Sequence, residues 1–344
     1  MSERRALLVG TLPGDTAEDA MRAAVERLGA SLRYLPDGET GDRRDWVAGL
    51  ITSFADHTDL EIARPGNWSN YKDQQNYRVR KGHHLRGENL DLKYLSWYRT
   101  NRKVFDRLKS ERPELSDVDF QVGIPGDLDL TMFTMGPTRM FGHRAAFAEA
   151  TLRDITAIRE EGGDDVLFQL ELPVETVFVA KSGPLGGFVA NRMAAGVHRL
   201  VAATPAGTRF GVHLCLGDLG HKALTGIGSA RPLVRLANAL AAAWPEGRTL
   251  EYVHAPFAAG DEPPQSEPAF YRALSGLRLP EQTRFVAGFL HESSTLDEQR
   301  RLLDTIETAV GRQVDVAAAC GLGRRTPADA YKTMDQARTL CEQD

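Results

Sequence analysis

The segment DVLFQLELP, residues 165–173, is a short apolar run that carries polar groups at Gln169 and Glu171 and ends in a proline. An apolar run of this length, bounded by turn residues, is typical of a buried strand in a parallel sheet. The helix-compatible stretch HRAAFAEATLRDITAIREEG, residues 143–162, comes directly before it. A strand preceded by such a helix indicates a βα unit, so this region predicts the fold class.

The same alternation recurs along the chain in both directions. Seven further β-type runs are separated by stretches long enough for helices, and they cover residues 6–12, 31–39, 119–126, 209–218, 249–257, 284–292 and 314–323. Eight strands with intervening helices predict an α/β protein of the (β/α)8 or TIM-barrel type. Because the pattern shows no second core, we expect a single barrel domain over residues 1–344.

The connection after the second strand is much longer than an ordinary βα loop. Residues 61–110 contain twelve Lys and Arg, five Asp and Glu, and seven aromatic side chains. This composition fits an amphipathic helical excursion whose aromatic rings pack inward, or a pocket wall for an anionic, partly flat ligand. A connection that leaves the carboxyl end of a barrel strand lies over the barrel mouth. We therefore expect a helical insertion at residues 55–118 over the mouth, with substrate-binding residues Trp68, Tyr71, Tyr77, Arg78 and Arg80.

Composition narrows the classes of function. The chain of 344 residues has a formal net charge of −5, which argues against nucleic-acid binding by phosphate neutralisation. It has no apolar run of membrane-spanning length, a mean hydropathy of −0.34 and no secretion signal at its start, so we expect no membrane association. Three cysteines cannot form a disulfide framework. These features predict a cytoplasmic protein that acts on small molecules, and they leave its oligomeric state open.

Metal-binding residue types cluster at the predicted carboxyl ends of the strands, where a barrel builds its active site. His213 and Cys215 are two residues apart, so in a strand they face the same side. Cys320 follows the eighth strand and brings a second thiolate to the same rim. Because zinc prefers Cys and His ligands in tetrahedral geometry, we expect a Zn²⁺ site here.

Two residues of the sixth strand compete to be the fourth zinc ligand. His254 lies toward the carboxyl end of this strand, whereas Glu251 lies nearer its middle and faces the other way. On this geometry we expect His254, with Glu251 as the alternative. His291, at the end of the seventh strand, is a candidate ligand or general base, and a buried hydrogen-bonded histidine is the alternative interpretation.

Several of these segments resemble the cobalamin-independent methionine synthase-like family, in particular its single-barrel, uncharacterised branch. Residues 10–13, Gly-Thr-Leu-Pro, look like the family's opening Gly-Ser-x-Pro turn, and Asp37-Gly38-Glu39 matches its Asp-Gly-Glu segment. Residues 169–173 are similar to its Gln-Ile-Asp-Glu-Pro strand. The pair His213-x-Cys215 and the segment Cys320-Gly321-Leu322 match three zinc ligands of the family. Its fourth ligand is a glutamate on the next strand, which corresponds to Glu251 by neighbouring residues and to His254 by position.

The resemblance implies a zinc-dependent methyl or alkyl transferase that activates a small thiol as a zinc thiolate for attack on an alkyl donor. It implies that Glu171 orients an amine. We expect Asp37 and His291 as further catalytic residues, and Glu39, Gln169 and Arg324 among the substrate-binding residues. Two other functions stay open. One is a metal-free barrel enzyme of the uroporphyrinogen decarboxylase type that works by Asp and Arg positioning, and the other is a non-catalytic zinc- or thiol-binding protein.

Overall fold

The predicted barrel is confirmed in the computed structural model, which describes residues 3–342. Its eight parallel strands are β1 (Ala6–Leu7), β2 (Tyr34–Pro36), β5 (Asp119–Pro125), β6 (Val166–Glu171), β7 (Arg209–His213), β8 (Thr249–Pro256), β9 (Arg284–Leu290) and β10 (Asp315–Ala318); an antiparallel hairpin consists of β3 (Leu60–Arg64) and β4 (Asn76–Val79). The sheet order is β1-β10-β9-β8-β7-β6-β5-β2, and a parallel bridge between Ala6 and Leu32 joins its two edges.

The outer layer consists of helices that return the chain from the carboxyl end of one strand to the start of the next. The helices are α1 (Ala17–Leu28), α2 (Val47–Ser53), α3 (Tyr94–Glu111), α4 (Asp127–Met135), α5 (Met140–Gly162), α6 (Pro173–Lys181), α7 (Gly186–Ala203), α8 (Arg231–Ala242), α9 (Pro268–Tyr271), α10 (Leu296–Val310) and α11 (Pro327–Cys341). Helices α1 and α10 begin with capping boxes, Thr16 with Asp19 and Thr295 with Glu298. Such boxes satisfy free N–H groups at a helix start and so define where these helices begin.

Alternation along the strands sorts side chains between the barrel interior and the helices. Leu167, Gln169 and Glu171 of β6 follow one another along one face of the strand, and Phe168 and Leu170 alternate with them. The Gln169 amide accepts a hydrogen bond from Tyr252 Oη at 2.9 Å and donates to the Val9 carbonyl, both across the barrel. A Cβ at Gly211 would overlap the Tyr252 ring, so glycine there gives the ring its room. The interior therefore changes from apolar to polar toward the carboxyl ends.

The long connection between β2 and β5 contains more than helices. It includes α2, the hairpin β3–β4 and α3, and α3 packs against α1 and α5 in the outer layer. Trp46, before α2, and Trp68, between the hairpin strands, both contact the Phe133 ring of α4, with centroids 5.4 and 6.3 Å away. Within residues 3–342, no helix has both the length and the apolar character needed to cross a membrane.

Candidate active site

A cavity lies at the carboxyl ends of the barrel strands. Its wall combines strand ends with residues of the long β2–β5 connection. The lining residues are Val9, Gly10, Thr11, Glu39, Asp45, Trp46, Val47, Trp68, Tyr71, Phe133, Glu171, Pro173, His213, Cys215, Gly217, Asp218, Leu219, Leu224, Cys320, Gly321 and Arg324.

Two thiols and one imidazole meet in this cavity. His213 is the last residue of β7, Cys215 lies two residues further on, and Cys320 lies two residues after the end of β10. The two sulfur atoms are 3.9 Å apart, and one donor atom from each of the three residues lies within 4.8 Å of the others. Tetrahedral zinc takes such S and N donors at about 2.0–2.3 Å, so one ion could contact all three after small adjustments.

The Nε2 atom of His213 is buried and has no hydrogen-bond partner among the described residues. Its other ring nitrogen, Nδ1, lies 2.7 Å from Nδ1 of His254, and His254 Nε2 lies 3.0 Å from the Ala318 carbonyl oxygen. Burial lowers the pKa of both imidazoles, that of His254 to about 3. His213 therefore offers an unprotonated nitrogen without a partner, and a group of one imidazole and two thiols is of a kind that zinc binds.

The two competing residues of β8 lie in different places. Both ring nitrogens of His254 are occupied by His213 and Ala318, and His254 is not part of the group of three donors. Glu251 lies toward the amino end of the barrel, where its carboxylate accepts hydrogen bonds from Arg209 at 2.7 Å and Tyr34 at 3.2 Å. In this arrangement neither residue contributes a donor atom to the cavity, which differs from the expectation of a ligand from the sixth strand.

The two cavity thiols are not equivalent. A hydrogen bond between them lowers the pKa of Cys320 and raises that of Cys215, because the shared proton stays with Cys215, and burial raises it further. The Gly217 N–H donates to Cys215 Sγ at 3.2 Å. The positive charge of Arg324 also favours the Cys320 thiolate.

Two acidic residues line the cavity without full compensation of their charge. Burial raises the pKa of Glu39 to about 7, and burial together with the charge of Glu39 raises that of Glu171 well above its usual range. Asp37 does not line the cavity. It accepts hydrogen bonds from the Glu39 N–H, from Arg43 and from Asn101 Nδ2, so it supports the turn that carries Glu39.

Two further buried polar groups of the cavity have no hydrogen-bond partner among residues 3–342, the indole N–H of Trp68 and the Thr11 hydroxyl. The Trp46 indole, in contrast, lies beside the Glu171 carboxyl and lowers its pKa, and Arg324 Nε lies 4.0 Å from an Asp45 carboxylate oxygen. Glu39, Trp46 and Trp68 have left-handed backbones with φ of 44°, 56° and 61°. Such conformations cost about 1–3 kcal/mol each and cluster at functional sites. The unsatisfied donors indicate a ligand that offers hydrogen-bond acceptors.

The remaining expected site residues divide into two groups. Tyr71 lines the cavity, and its hydroxyl accepts from the Leu219 N–H at 2.9 Å. Tyr77 is fully buried in the core, while Arg78 pairs with Glu61 at 2.6 Å on the exposed side of the hairpin and Arg80 is exposed. None of these three lines the cavity: Tyr77 and Arg78 alternate along β4 between the core and the solvent, and Arg80 follows that strand.

Gln169 and His291 are also outside the cavity wall. Gln169 lies inside the barrel below Glu171 and hydrogen bonds to its Oε1 at 3.2 Å. His291 Nδ1 accepts from the Ser293 N–H, and its ring packs beside Glu292 and the Gly260 carbonyl. Glu292 in turn pairs with His221 and Arg325.

The polar and aromatic residues of the site that sequence reasoning missed include Thr11, Trp46, Phe133 and Asp218. Thr11 lies in the opening turn, residues 10–13, and Asp218 is the last residue of the fifth β-type run, residues 209–218. The rule that barrel active sites form at the carboxyl ends of the strands could therefore have identified both. Asp218 accepts from Arg324 at 3.3 Å and anchors that guanidinium. Trp46 and Phe133 lie outside every strand end, and no signal in the sequence points to them.

Comparisons with known proteins agree with this architecture. No family model matches the sequence, and no curated protein matches it. Solved structures do match. A B12-independent methionine synthase from Shewanella sp. W3-18-1, in complex with selenomethionine, is 14% identical with a TM-score of 0.59, over 99% of this chain and 97% of that one. A protein from Listeria monocytogenes described as a candidate enzyme of the same type is 11% identical with a TM-score of 0.57, over 99% and 98%. At these identities the likeness establishes the fold.

Proposed function

We propose that this protein is a zinc-dependent methyl or alkyl transferase in which a small thiol is the nucleophile. The observation that carries the proposal is the group of His213, Cys215 and Cys320, in which one donor atom of each residue lies within 4.8 Å of the others, together with a buried His213 Nε2 that has no partner in residues 3–342. The neighbouring structures, one of them named as a methionine synthase, support this class of chemistry on the same barrel. We infer that His213, Cys215 and Cys320 hold the ion.

Three protein ligands leave a fourth tetrahedral position for a substrate, as catalytic zinc sites do. Bound zinc would keep a substrate thiol ionised at neutral pH, where a free thiol is mostly protonated. Two thiolate ligands donate much electron density, which suits the presentation of a sulfur nucleophile better than the activation of water. The three residues therefore favour transfer to sulfur over hydrolysis.

The other cavity residues would bind and orient the reactants. Glu171 and Glu39 provide carboxyl groups for a cationic or hydrogen-bonding part of the thiol substrate. Arg324, held by Asp218 and 4.0 Å from Asp45, lines the cavity and offers its guanidinium to an acceptor or a carboxylate of a substrate. Trp46, Trp68 and Phe133 form an apolar wall that excludes water and positions the alkyl donor against the sulfur.

Metal analysis of reduced protein purified without chelator tests the proposal. We expect about one zinc per chain in the wild type and none in Cys215→Ser or Cys320→Ser. Cys341→Ala is the matched control, because Cys341 lies in α11 outside the cavity and this variant should keep its zinc. Absence of zinc from the wild type, even after incubation with the metal, would refute the proposed site.

A second assay addresses the reaction itself. A panel of small thiols is offered with methyl iodide as a generic alkyl donor, and thioether formation is followed at neutral pH. We expect zinc-loaded wild type to accelerate methylation of at least one thiol, and Cys215→Ser to give the uncatalysed rate. Equal rates with and without the metal would refute the proposed role of zinc in activating the thiol.

A further inference from the structure

We propose that His254 is a positioning residue that fixes the proton of His213 on Nδ1 and thereby keeps the Nε2 lone pair directed into the cavity. The inference concerns two imidazoles at the ends of neighbouring strands. His213 and His254 are register partners of β7 and β8, so the sheet itself places the rings side by side. The part of the inference that concerns metal rests on the proposed function, whereas the proton positions do not.

The first step is the proton of His254. Its Nε2 lies 3.0 Å from the Ala318 carbonyl oxygen, and a carbonyl can only accept a hydrogen bond. His254 Nε2 must therefore carry a hydrogen. Gly288 makes this position accessible to the ring, since a Cβ there would overlap His254 Nε2.

The second step is the bond between the two rings. The Nδ1 atoms are 2.7 Å apart, which requires a single hydrogen between them. Neither ring hydrogen bonds to a carboxylate in residues 3–342, so a cationic His254 would be a buried charge without a counter-charge. Neutral His254 already has its hydrogen on Nε2, and its Nδ1 is therefore the acceptor. The hydrogen between the rings belongs to His213 Nδ1.

The third step follows for His213. A neutral imidazole with its hydrogen on Nδ1 has its lone pair on Nε2. That atom is buried and has no partner among the described residues, so it is the ring nitrogen available to the group that His213 forms with Cys215 and Cys320. Both rings are almost fully buried, at 1% and 0% exposure, and lie 4.7 Å apart at an interplanar angle of 45°. The packing thus prevents the rotation that would exchange the two nitrogens of His213.

This arrangement differs from the usual support of a metal-bound histidine, in which a carboxylate or a backbone carbonyl accepts the second N–H. Here the neutral imidazole of His254 accepts this hydrogen bond, and its own Nε2–H donates to the Ala318 carbonyl oxygen. The relay fixes the tautomer without adding negative charge to a site that already contains two thiols. His254 acts through His213 and has no contact with the reacting atoms.

Nitrogen-15 NMR of the zinc-free protein labelled at histidine tests the proton positions directly, with assignments from His213→Gln and His254→Asn. We expect the Nδ1–H tautomer at His213 and the Nε2–H tautomer at His254. The reverse pair of tautomers would overturn the proposal. This result does not depend on zinc binding, so it separates the inference from the proposed function.

X-ray absorption of the zinc-loaded wild type then counts the ligands. We expect two sulfur atoms and one imidazole, and a second imidazole would show that His254 is a ligand and overturn the proposal. Loss of the relay in His254→Ala should raise the zinc Kd about 10–100-fold. His254→Asn keeps an acceptor near the Nδ1 position and should recover part of the affinity. His198→Ala, on outer helix α7, is the control that should leave the Kd unchanged.

Discussion

Partly buried charges at the amino end of the barrel form ion pairs, whereas several buried polar atoms at the carboxyl end have no partner within residues 3–342. At the amino end Arg209 hydrogen bonds to Glu251 at 2.7 Å and to Asp119 at 2.6 Å, and Arg284 pairs with Asp315. At the carboxyl end His213 Nε2 and the Trp68 indole N–H are buried without partners in the described part of the chain. Because both ends are built from the same eight strands, the fold alone does not explain this difference.

The contrast separates stability from function. Each buried donor or acceptor without a partner destabilises the fold by about 1–3 kcal/mol, and a ligand that hydrogen bonds to it removes this penalty. The charged groups at the amino end are bonded to one another, so they hold the strands in register and are not available to bind a ligand. Variants at the amino end should therefore change stability alone, and variants at the carboxyl end should change binding.

The largest expected effect is at the amino end. Arg209→Met leaves the carboxylates of Glu251 and Asp119 without their shared cation, and both are less than one-fifth exposed. We expect the free energy of unfolding to fall by about 3 kcal/mol, as for other partly buried ion pairs. Urea unfolding measures this change. Zinc content should stay at the wild-type value.

Glu251→Gln is the matched variant for this comparison. It keeps the shape of the side chain and leaves Arg209 bonded to Asp119, so we expect a loss of about 1 kcal/mol and unchanged zinc content. Loss of zinc in Glu251→Gln would mean that Glu251 is a ligand after all, and the division between the two ends would be wrong.

A second expected effect concerns pH at the carboxyl end. Burial raises the pKa of Glu39 from its ordinary 4.5 to about 7, so the folded state holds this proton more tightly than the unfolded state does. The contribution of Glu39 to stability is fully present below pH 4.5 and is lost as the pH rises through 7. Over this window the loss amounts to about 3 kcal/mol at most.

Unfolding in urea at several values between pH 4.5 and 8 tests this sign. Glu39→Gln should show a flatter dependence of stability on pH than the wild type. Glu246→Gln, at an exposed position, is the control and should follow the wild-type curve. Parallel curves for Glu39→Gln and the wild type would show that Glu39 titrates normally in the folded protein.

The same contrast explains which features could be predicted from the sequence. The eight strands could be predicted because each is an apolar run between helix-compatible stretches. This local pattern does not depend on tertiary contacts. The convergence of His213, Cys215 and Cys320 followed from the rule that parallel strands end at one rim. Local pattern and topology suffice for both.

Features that depend on tertiary register or unusual backbone could not be predicted in this way. The pairing of His213 with His254 depends on the register of β7 against β8, and this register cannot be predicted from the local sequence pattern. Trp46 enters the cavity through a left-handed backbone at φ 56°, a conformation that a tryptophan rarely adopts. Tyr77 belongs to a hairpin within a region expected to be helical, and strand alternation directs it into the core.

The smallest expected effect isolates one unsatisfied donor. Trp68→Phe keeps an aromatic ring against Phe133 and removes the indole N–H together with part of the ring. Once a thiol and alkyl donor pair supports turnover, we expect KM for one of them to rise about 5–10-fold, the value of one hydrogen bond. The free energy of unfolding of the ligand-free protein should fall by about 1 kcal/mol or less, because only packing of a partly buried ring is lost and the N–H had no partner.

Trp244→Phe provides a stringent control for this variant. The Trp244 indole N–H is also buried without a partner, but its ring packs against Phe210 and His198 away from the cavity. Removing that N–H should leave KM unchanged. An equal rise in KM for both variants would mean that loss of an indole N–H raises KM by disturbing the fold. A rise for Trp68→Phe alone would mean that a bound ligand has a hydrogen-bond acceptor near the Trp68 indole. The distinction matters because it is the clustering of free donors around one cavity, rather than a single unpaired donor, that indicates a binding site.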